Sequence, residues 1–338
     1  MRILISSHAF DPSVGGIETV ARLLTGALTQ GGHEVTLVTH TPGPTEGYAC
    51  RVVRRPTIVE LWRLAALHDV FLHNNISLRT AWPGLFARLP WVICHHTWTL
   101  PGGTFGAAKV WLKRRVASRA RQLAVSNTLA ERIGGGVTVV PNPYDCDLFR
   151  VLETGSRSGL IYVGRLVSDK GVSLLLRALA DLHSAGCRES LTLVGDGPER
   201  LALQQQVREL GLESHVEFTG AKPPDEVAWH LNRHRVLVVP SRWEEPFGLV
   251  ALEGIACGCL VVASDGGGLP EAVGPCGRLF SRGSQSALSA ALLDVLDDTD
   301  LHEEARHAAP AHLAPYRPDQ VARAYVRVFE DCIRADHP

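Results

Sequence analysis

Residues Ser241–Glu271 read SRWEEPFGLVALEGIACGCLVVASDGGGLPE, and this stretch decides the fold. The apolar run just before it, VLVVP at Val236–Pro240, predicts a buried strand, and Pro246 and Gly248 predict the loop that follows. LVALEGIA predicts a helix from Leu249, Gly258 stops it, and LVVAS at Leu260–Ser264 predicts the next buried strand. Strand, loop, helix and strand in this order make a parallel βαβ unit. The loop then lies at the carboxyl end of its strand, where open α/β sheets bind ligands.

A helix start presents unpaired N–H groups and a partial positive charge, so it suits a phosphate. Here those amides are expected from Phe247, Gly248, Leu249 and Val250. Glu245 precedes the helix and Glu253 follows within it. The rise of a helix puts the second carboxylate about 12 Å along or less, on the same side. A phosphate between two acids that accept hydroxyls describes a nucleotide-sugar site, with one acid for the sugar and one for the ribose.

EPFGLVALE resembles the glutamate-seven-glutamate motif of the retaining GT-B glycosyltransferases of glycosyltransferase family 4, and GGGLPE is similar to that family's next signature. The resemblance implies an α/β protein of GT-B fold. Two Rossmann-like domains would face a central cleft, the first for the acceptor and the second for the donor. A C-terminal helix would cross back to the first. The expected domains are residues 1–152 with a helix at about 318–336, and residues 158–315. ETGSRSG at Glu153–Gly159 is polar and turn-rich, a linker.

The second half repeats the strand–helix alternation, with LIYVGRL and LTLVGDGPE as strands with their turns, and SDKGVSLLLRALADLHSAG as a loop and helix. Arg165 and Lys170 flank the first of these strand-to-helix loops, one a rigid fork and the other a point charge, suited to a diphosphate. GRLVSDKG resembles the family's phosphate-binding segment. After Gly277 the tail is expected to be helical, ending in PDQVARAYVRVFEDCIRA.

The chain opens with the strand ILIS, a helix from about Ile17 and the strand HEVTLVTH. Gly15 and Gly16 at that helix start allow close approach of a phosphate, and they resemble the family's GG-x-E opening, which faces the donor pyrophosphate. LPWVICHHTW predicts a strand ending in His95 and His96. The resemblance sets His95 near the donor's anomeric carbon. His96, where many members carry Asp, and Trp98 fall on the acceptor side. AAKVWLKRRVASRARQLAVS reads as one basic helix, with Leu112, Val116, Ala120 and Leu123 on one face and Arg114, Arg115 and Arg121 opposite, beside Trp111. A Trp within a cationic face fits a membrane interface, so Lys109, Trp111, Lys113, Arg114 and Arg115 are expected to touch anionic lipid; a solvated helix with one packed Trp fits equally.

Of the 338 residues, 45% are apolar and 20% charged, as in globular proteins, and no apolar run reaches the length of a membrane span. The N-terminus lacks the apolar core of a signal peptide. Eight cysteines without a C-x-x-C pair fit a reduced, cytoplasmic setting, with peripheral contact at the inner membrane face. Residues 1–150 hold 16 Lys and Arg against 9 Asp and Glu, a net +7; residues 151–338 hold 18 against 26, a net −8. The basic half expects an anionic partner.

Asp145-Cys146-Asp147 and Asp298-Thr299-Asp300 are D-x-D strings in linker or acidic surroundings, and no metal is assigned to them. Gly195-Asp196-Gly197 lacks the third glycine of a dinucleotide fingerprint, since Arg200 stands there, and no phosphate-loop string of an NTPase occurs. Nothing points to nucleic acid. The resemblance therefore implies metal-independent, retaining transfer of a sugar from a nucleotide diphosphate sugar, UDP-linked by default, to a glycan, lipid-linked or small-molecule acceptor in polysaccharide or glycoconjugate synthesis. The implied catalytic residues are His95, Arg165, Lys170 and Glu245, and no further cofactor is expected. A sugar-nucleotide epimerase of the same fold and a non-catalytic nucleotide-sugar binder remain open.

Overall fold

A computed structural model describes residues 1–13, 15–87, 89–98, 104–153 and 155–336, and counts of elements refer to these. The chain folds as two compact units, Met1–Tyr144 with Pro315–Pro338, and Asp145–Ala314. The first boundary lies before the 152 expected from sequence. Asn232 explains the difference: its Oδ1 accepts the Leu152 N–H at 2.7 Å and its Nδ2 donates to the Arg150 carbonyl at 3.0 Å, tying that segment to the second unit.

The first unit runs β1 Arg2–Ser7, α1 Gly16–Gln30, β2 Glu34–Thr39, β3 Arg51–Arg54, α2 Ile58–Leu67, β4 Val70–Asn74, α3 Trp82–Phe86 and β5 Trp91–His95. It continues with α4 Thr104–Ala117, β6 Arg121–Ala124, α5 Asn127–Ile133 and β7 Thr138–Val139. The second unit runs β8 Leu160–Val163, α6 Val172–Ser184, β9 Leu191–Val194, α7 Arg200–Glu209, β10 Val216–Gly220, α8 Pro224–Arg233 and β11 Val236–Val239. It closes with α9 Leu249–Ala256, β12 Leu260–Ser264, α10 Leu269–Val273, β13 Gly277–Phe280, α11 Gln285–Asp297 and α12 Thr299–Leu313. The last helix, α13 Pro318–Asp336, returns to the first unit and packs on α1.

Both sheets are parallel, in the order β3-β2-β1-β4-β5-β6-β7 and β10-β9-β8-β11-β12-β13. Helices on both faces bury the central strands, which is why ILIS, VLVV and LVVAS read as near-continuous apolar runs. In α13, Val321, Tyr325 and Phe329 recur at a spacing of four and are buried, while the arginines between them stay outside. No described helix is long and apolar enough to cross a membrane.

Two sequence expectations are corrected. The basic helix does not run through RQLAVS: turn hydrogen bonds such as Arg119 N–H to the Val116 carbonyl (3.2 Å) close α4, and Arg121–Ala124 pairs with β5 as β6. Arg121 and Leu123 therefore lie on no helix face, and Leu112, expected inside, is exposed. The tail after Gly277 opens with β13, in register with β12 from Val261↔Gly277 to Ser264↔Phe280. An edge strand of four residues, of which only Phe280 is buried, leaves no apolar run to read.

Candidate active site

In the second unit the loop after β11 opens α9. Its N-cap, Gly248, offers no side chain to the helix, so the amides of Leu249 and Val250 have no capping oxygen. Gly248 has φ +135°, and an added Cβ would lie 2.8 Å from Leu269 Cδ2, so only glycine opens the helix this closely. Phe247 is buried and anchors the loop.

The GGGLPE segment holds this loop from behind. The Gly268 N–H donates to the Glu245 carbonyl at 2.7 Å, and Gly267, at φ +66°, lies so close to that carbonyl that a Cβ would overlap it. The signature thus acts structurally, by fixing the backbone of Glu245. The strand-to-helix loop after β8 is fixed from the other side. The amides of Arg242 and Trp243 both donate to the Asp169 carbonyl, at 2.8 and 3.1 Å.

This zipping brings Lys170 and Glu245 together. Lys170 Nζ stands 2.6 Å from Glu245 Oε1, and Ser241 Oγ donates to the same oxygen at 2.6 Å. Sequence reading gave the two residues separate partners, diphosphate and sugar; the structure shows them as a half-buried ion pair. Ser241 was missed, although it follows β11 directly, where ligand-facing groups gather. Arg165 is exposed, and its carbonyl accepts the Tyr162 hydroxyl at 2.7 Å, which sets the start of its loop.

Glu253 sits one turn into α9. Its surroundings remove water from the carboxylate, and Asp145 adds repulsion, so its pKa is pushed up to about 7. The side chain keeps some exposed surface, so the cause is the density of protein around it rather than complete enclosure. It is an acid poised between charged and neutral forms, ready to be held in the charged form by hydroxyl donors.

In the first unit Gly15 caps α1 without a side-chain bond, leaving the amides of an exposed Gly16 and of Ile17 without a capping oxygen. The two histidines at the end of β5 face different settings. His95 bonds Gln122 Oε1 through Nε2 at 3.1 Å, and burial lowers its pKa. His96 donates its backbone N–H to Asn75 Oδ1 at 2.8 Å, but both ring nitrogens are buried without a hydrogen-bond partner among the described residues. Burial pushes its pKa down to about 3, offset in part by the Asn142 side chain, which lies beside the ring but outside hydrogen-bond geometry.

His73 makes the contrast plain. It is equally buried, with its pKa also pushed to about 3, yet Trp91 Nε1 donates to its Nδ1 at 2.9 Å and Thr80 Oγ1 lies 3.2 Å from its Nε2. His73 is a satisfied core histidine. His96 is not, and an unsatisfied buried donor and acceptor calls for a partner.

Trp98 is buried and carries the Arg132 guanidinium over its ring at 4.5 Å. With His95 it lines a cavity of about 290 Å³ bounded by α4, β6 and α5. On α4, Trp111 is 66% exposed and Arg114 and Arg115 are exposed, while Lys113 is half-buried. The Lys109 side chain lies outside the described residues. The D-x-D strings have local duties: Asp145 Oδ1 accepts the Leu148 N–H at 3.2 Å, and Asp298 Oδ1 caps α12 through the Leu301 N–H at 2.9 Å.

Residues 14–148 match the family model Glycosyltransferase Family 4, and residues 149–312 match Glycosyl transferases group 1. The chain belongs to glycosyltransferase family 4. A D-inositol 3-phosphate glycosyltransferase of Corynebacterium jeikeium is 36% identical to this family 4 glycosyltransferase over 60% of the present chain and 53% of that protein. A GDP-mannose-dependent alpha-(1-6)-phosphatidylinositol monomannoside mannosyltransferase of Mycolicibacterium smegmatis is 29% identical over 88% of the chain and 89% of its own. Among solved structures, Anabaena HepE in complex with UDP superposes with a TM-score of 0.84 at 22% identity, covering 98% of this chain and 100% of that one. That likeness shows the fold, GT-B.

Proposed function

We propose that this family 4 glycosyltransferase moves a sugar from a nucleotide diphosphate sugar to a glycan, lipid-linked or small-molecule acceptor, with retention and without a metal. The observation that carries the reading is the open start of α9, with the Lys170–Glu245 pair on one flank and Glu253 one turn along it. The uncapped amides and the cations Arg165 and Lys170 suit a diphosphate, Glu253 suits ribose hydroxyls, and Glu245 suits sugar hydroxyls. UDP is the default carrier, in keeping with Anabaena HepE, solved with UDP and with UDP-glucose.

Charge develops on the leaving diphosphate as the bond to the anomeric carbon breaks. Arg165, Lys170 and the amides of Gly248–Val250 receive that charge in fixed positions, and removing one such donor typically costs about 2.7–4 kcal/mol of transition-state stabilisation. No carboxylate is assigned as a nucleophile. The acceptor hydroxyl attacks on the face that the diphosphate leaves, and a diphosphate oxygen takes its proton. The cations take the place of a metal. Of the two histidines, His96 has buried ring nitrogens without a hydrogen-bond partner among the described residues, so we assign it, besides the acceptor-side place it already held, the donor-side contact that the resemblance gave to His95.

An assay with a panel of UDP- and GDP-sugars, run with excess chelator and read for transfer, hydrolysis and interconversion, tests this. Transfer with retained anomeric configuration is expected. Interconversion alone would make the protein an epimerase, binding without turnover would make it a carrier, and activity lost to chelator and restored by Mg²⁺ or Mn²⁺ would overturn metal independence.

A further inference from the structure

Helix α2 is apolar on both sides. Leu61, Leu64 and Ala65 face the sheet, in a core cluster that also takes in Ala81 and Trp82 at the start of α3. On the outer side Ile58, Val59, Trp62 and Leu67 are exposed, Ile58 at 73%. The neighbouring α3 adds Leu85 and Phe86, the latter also 73% exposed. The Trp62 ring stacks on Trp82 with centroids 5.7 Å apart and planes 8° from parallel, which ties the two helices into one surface. A helix that is apolar all round belongs in an interior, and a gathered patch of exposed apolar side chains marks an interaction site.

The charges on these helices indicate what covers them. α2 carries one acid, Glu60, and one base, Arg63, neither in an ion pair with a described residue, and α3 carries no charge. At about 100° per residue Glu60 and Arg63 fall on the same flank of the outer face, one turn apart. The surface is therefore neutral and complementary to itself. When two α2 helices meet antiparallel about a two-fold axis, like flanks face each other, and Glu60 of each copy stands opposite Arg63 of the other. An anionic bilayer is not drawn to a neutral patch, in contrast to the exposed Trp111, Arg114 and Arg115 on α4. We propose that the α2–α3 surface joins two copies of this chain, independently of the sugar-transfer reading. Trp62, held by its stack on Trp82, and Phe86 are the anchors, because rigid aromatic side chains bring much contact area at little entropy cost.

Sedimentation velocity of the full chain, over about a hundredfold range of concentration, reads the association directly. Wild type is expected to reach twice the mass of one chain. Ile58→Glu with Phe86→Glu, both at exposed positions, should raise the dimer dissociation constant at least tenfold. Arg63→Glu gathers four acids at the two-fold and Glu60→Arg gathers four bases, so each variant alone should associate at least tenfold more weakly. An equal mixture of these two variants restores both opposite-charge pairs and should associate nearly as wild type does. The melting temperature of each variant checks its folding. Wild type that stays monomeric over the whole range would overturn the proposal, as would a dimer that Ile58→Glu with Phe86→Glu leaves intact. A mixture no tighter than its components would overturn the antiparallel two-fold. Monomeric wild type that binds phosphatidylglycerol vesicles, with binding lost in Ile58→Glu with Phe86→Glu, would give the patch to lipid instead.

Discussion

Lys170 and Glu245, 75 residues apart in the chain, meet at 2.6 Å between Nζ and Oε1, and Ser241 donates to the same carboxylate oxygen. Two loops that each follow a parallel strand are thus locked together before any ligand arrives. The ammonium is held beside the helix start by the carboxylate, and the backbone of Glu245 is held by its bond to Gly268. Cation, amides and acid are preorganised as one unit.

Lys170→Ala should reduce turnover about 10²–10³-fold, the usual cost of one preorganised charge-stabilising donor. It also leaves the half-buried Glu245 without its cation, so the effect of Lys170→Ala with Glu245→Ala should fall well short of the sum of the two single changes. Steady-state kinetics on the double-mutant cycle checks this; additive losses would show that the pair does not act together.

Gly267→Ala should lower stability by about 1–3 kcal/mol, because alanine at φ +66° is strained and its Cβ would press on the Glu245 carbonyl. Relief of that overlap displaces Glu245, so activity should fall by more than the stability loss explains. Thermal melting and turnover on the same preparation measure both. An unchanged melting temperature would show that the GGG turn does not fix the loop.

Glu253 carries a pH signature. Its folded pKa is pushed up to about 7, above the unfolded carboxylate value of about 4.3, so the folded protein holds an extra proton between these limits. Stability from this group is therefore full at low pH, falls as pH rises through the window, and stays lower above it. Glu253→Gln lacks this loss, so its melting temperature should rise relative to wild type between pH 5 and pH 8. UDP affinity should fall in the same variant, since ribose hydroxyls lose a charged acceptor worth roughly 1.5–3 kcal/mol per bond. A melting difference that is constant with pH would contradict the raised pKa.

His96→Ala and His95→Ala should separate. The first removes a ring whose nitrogens have no partner among the described residues, so it should cut turnover with little loss of cooperativity in unfolding. The second breaks the bond to Gln122 beside the cavity and should act chiefly on acceptor KM. If His95→Ala abolished turnover and His96→Ala did not, the assignment made from sequence would stand over the one made from geometry.

Trp111→Ala with Arg115→Glu tests membrane docking without disturbing the cavity. Wild type should sediment with phosphatidylglycerol vesicles at low salt and be released at high salt, with each basic residue near the surface adding about 1 kcal/mol. The variant should stay in solution. Wild type that never sediments would leave the exposed Trp111 without a lipid partner.

The sequence by itself determined the alternation of strands and helices wherever burial is complete, as at VLVV and LVVAS, because a strand covered on both faces must be apolar at nearly every position. It determined the start of α9 and the acids around it, because glycine, proline and the helix period are local properties. It could not determine β13 or β6, short strands near the sheet margins whose identity comes from backbone pairing with β12 and β5 rather than from their side chains. Nor could it determine that Lys170 bonds Glu245, that His96 is the histidine left unsatisfied, or that Arg132 joins Lys113 and Arg114 around one cavity. Those facts depend on distances between residues far apart in the chain, and only the packing of loops and helices onto a finished sheet sets such distances.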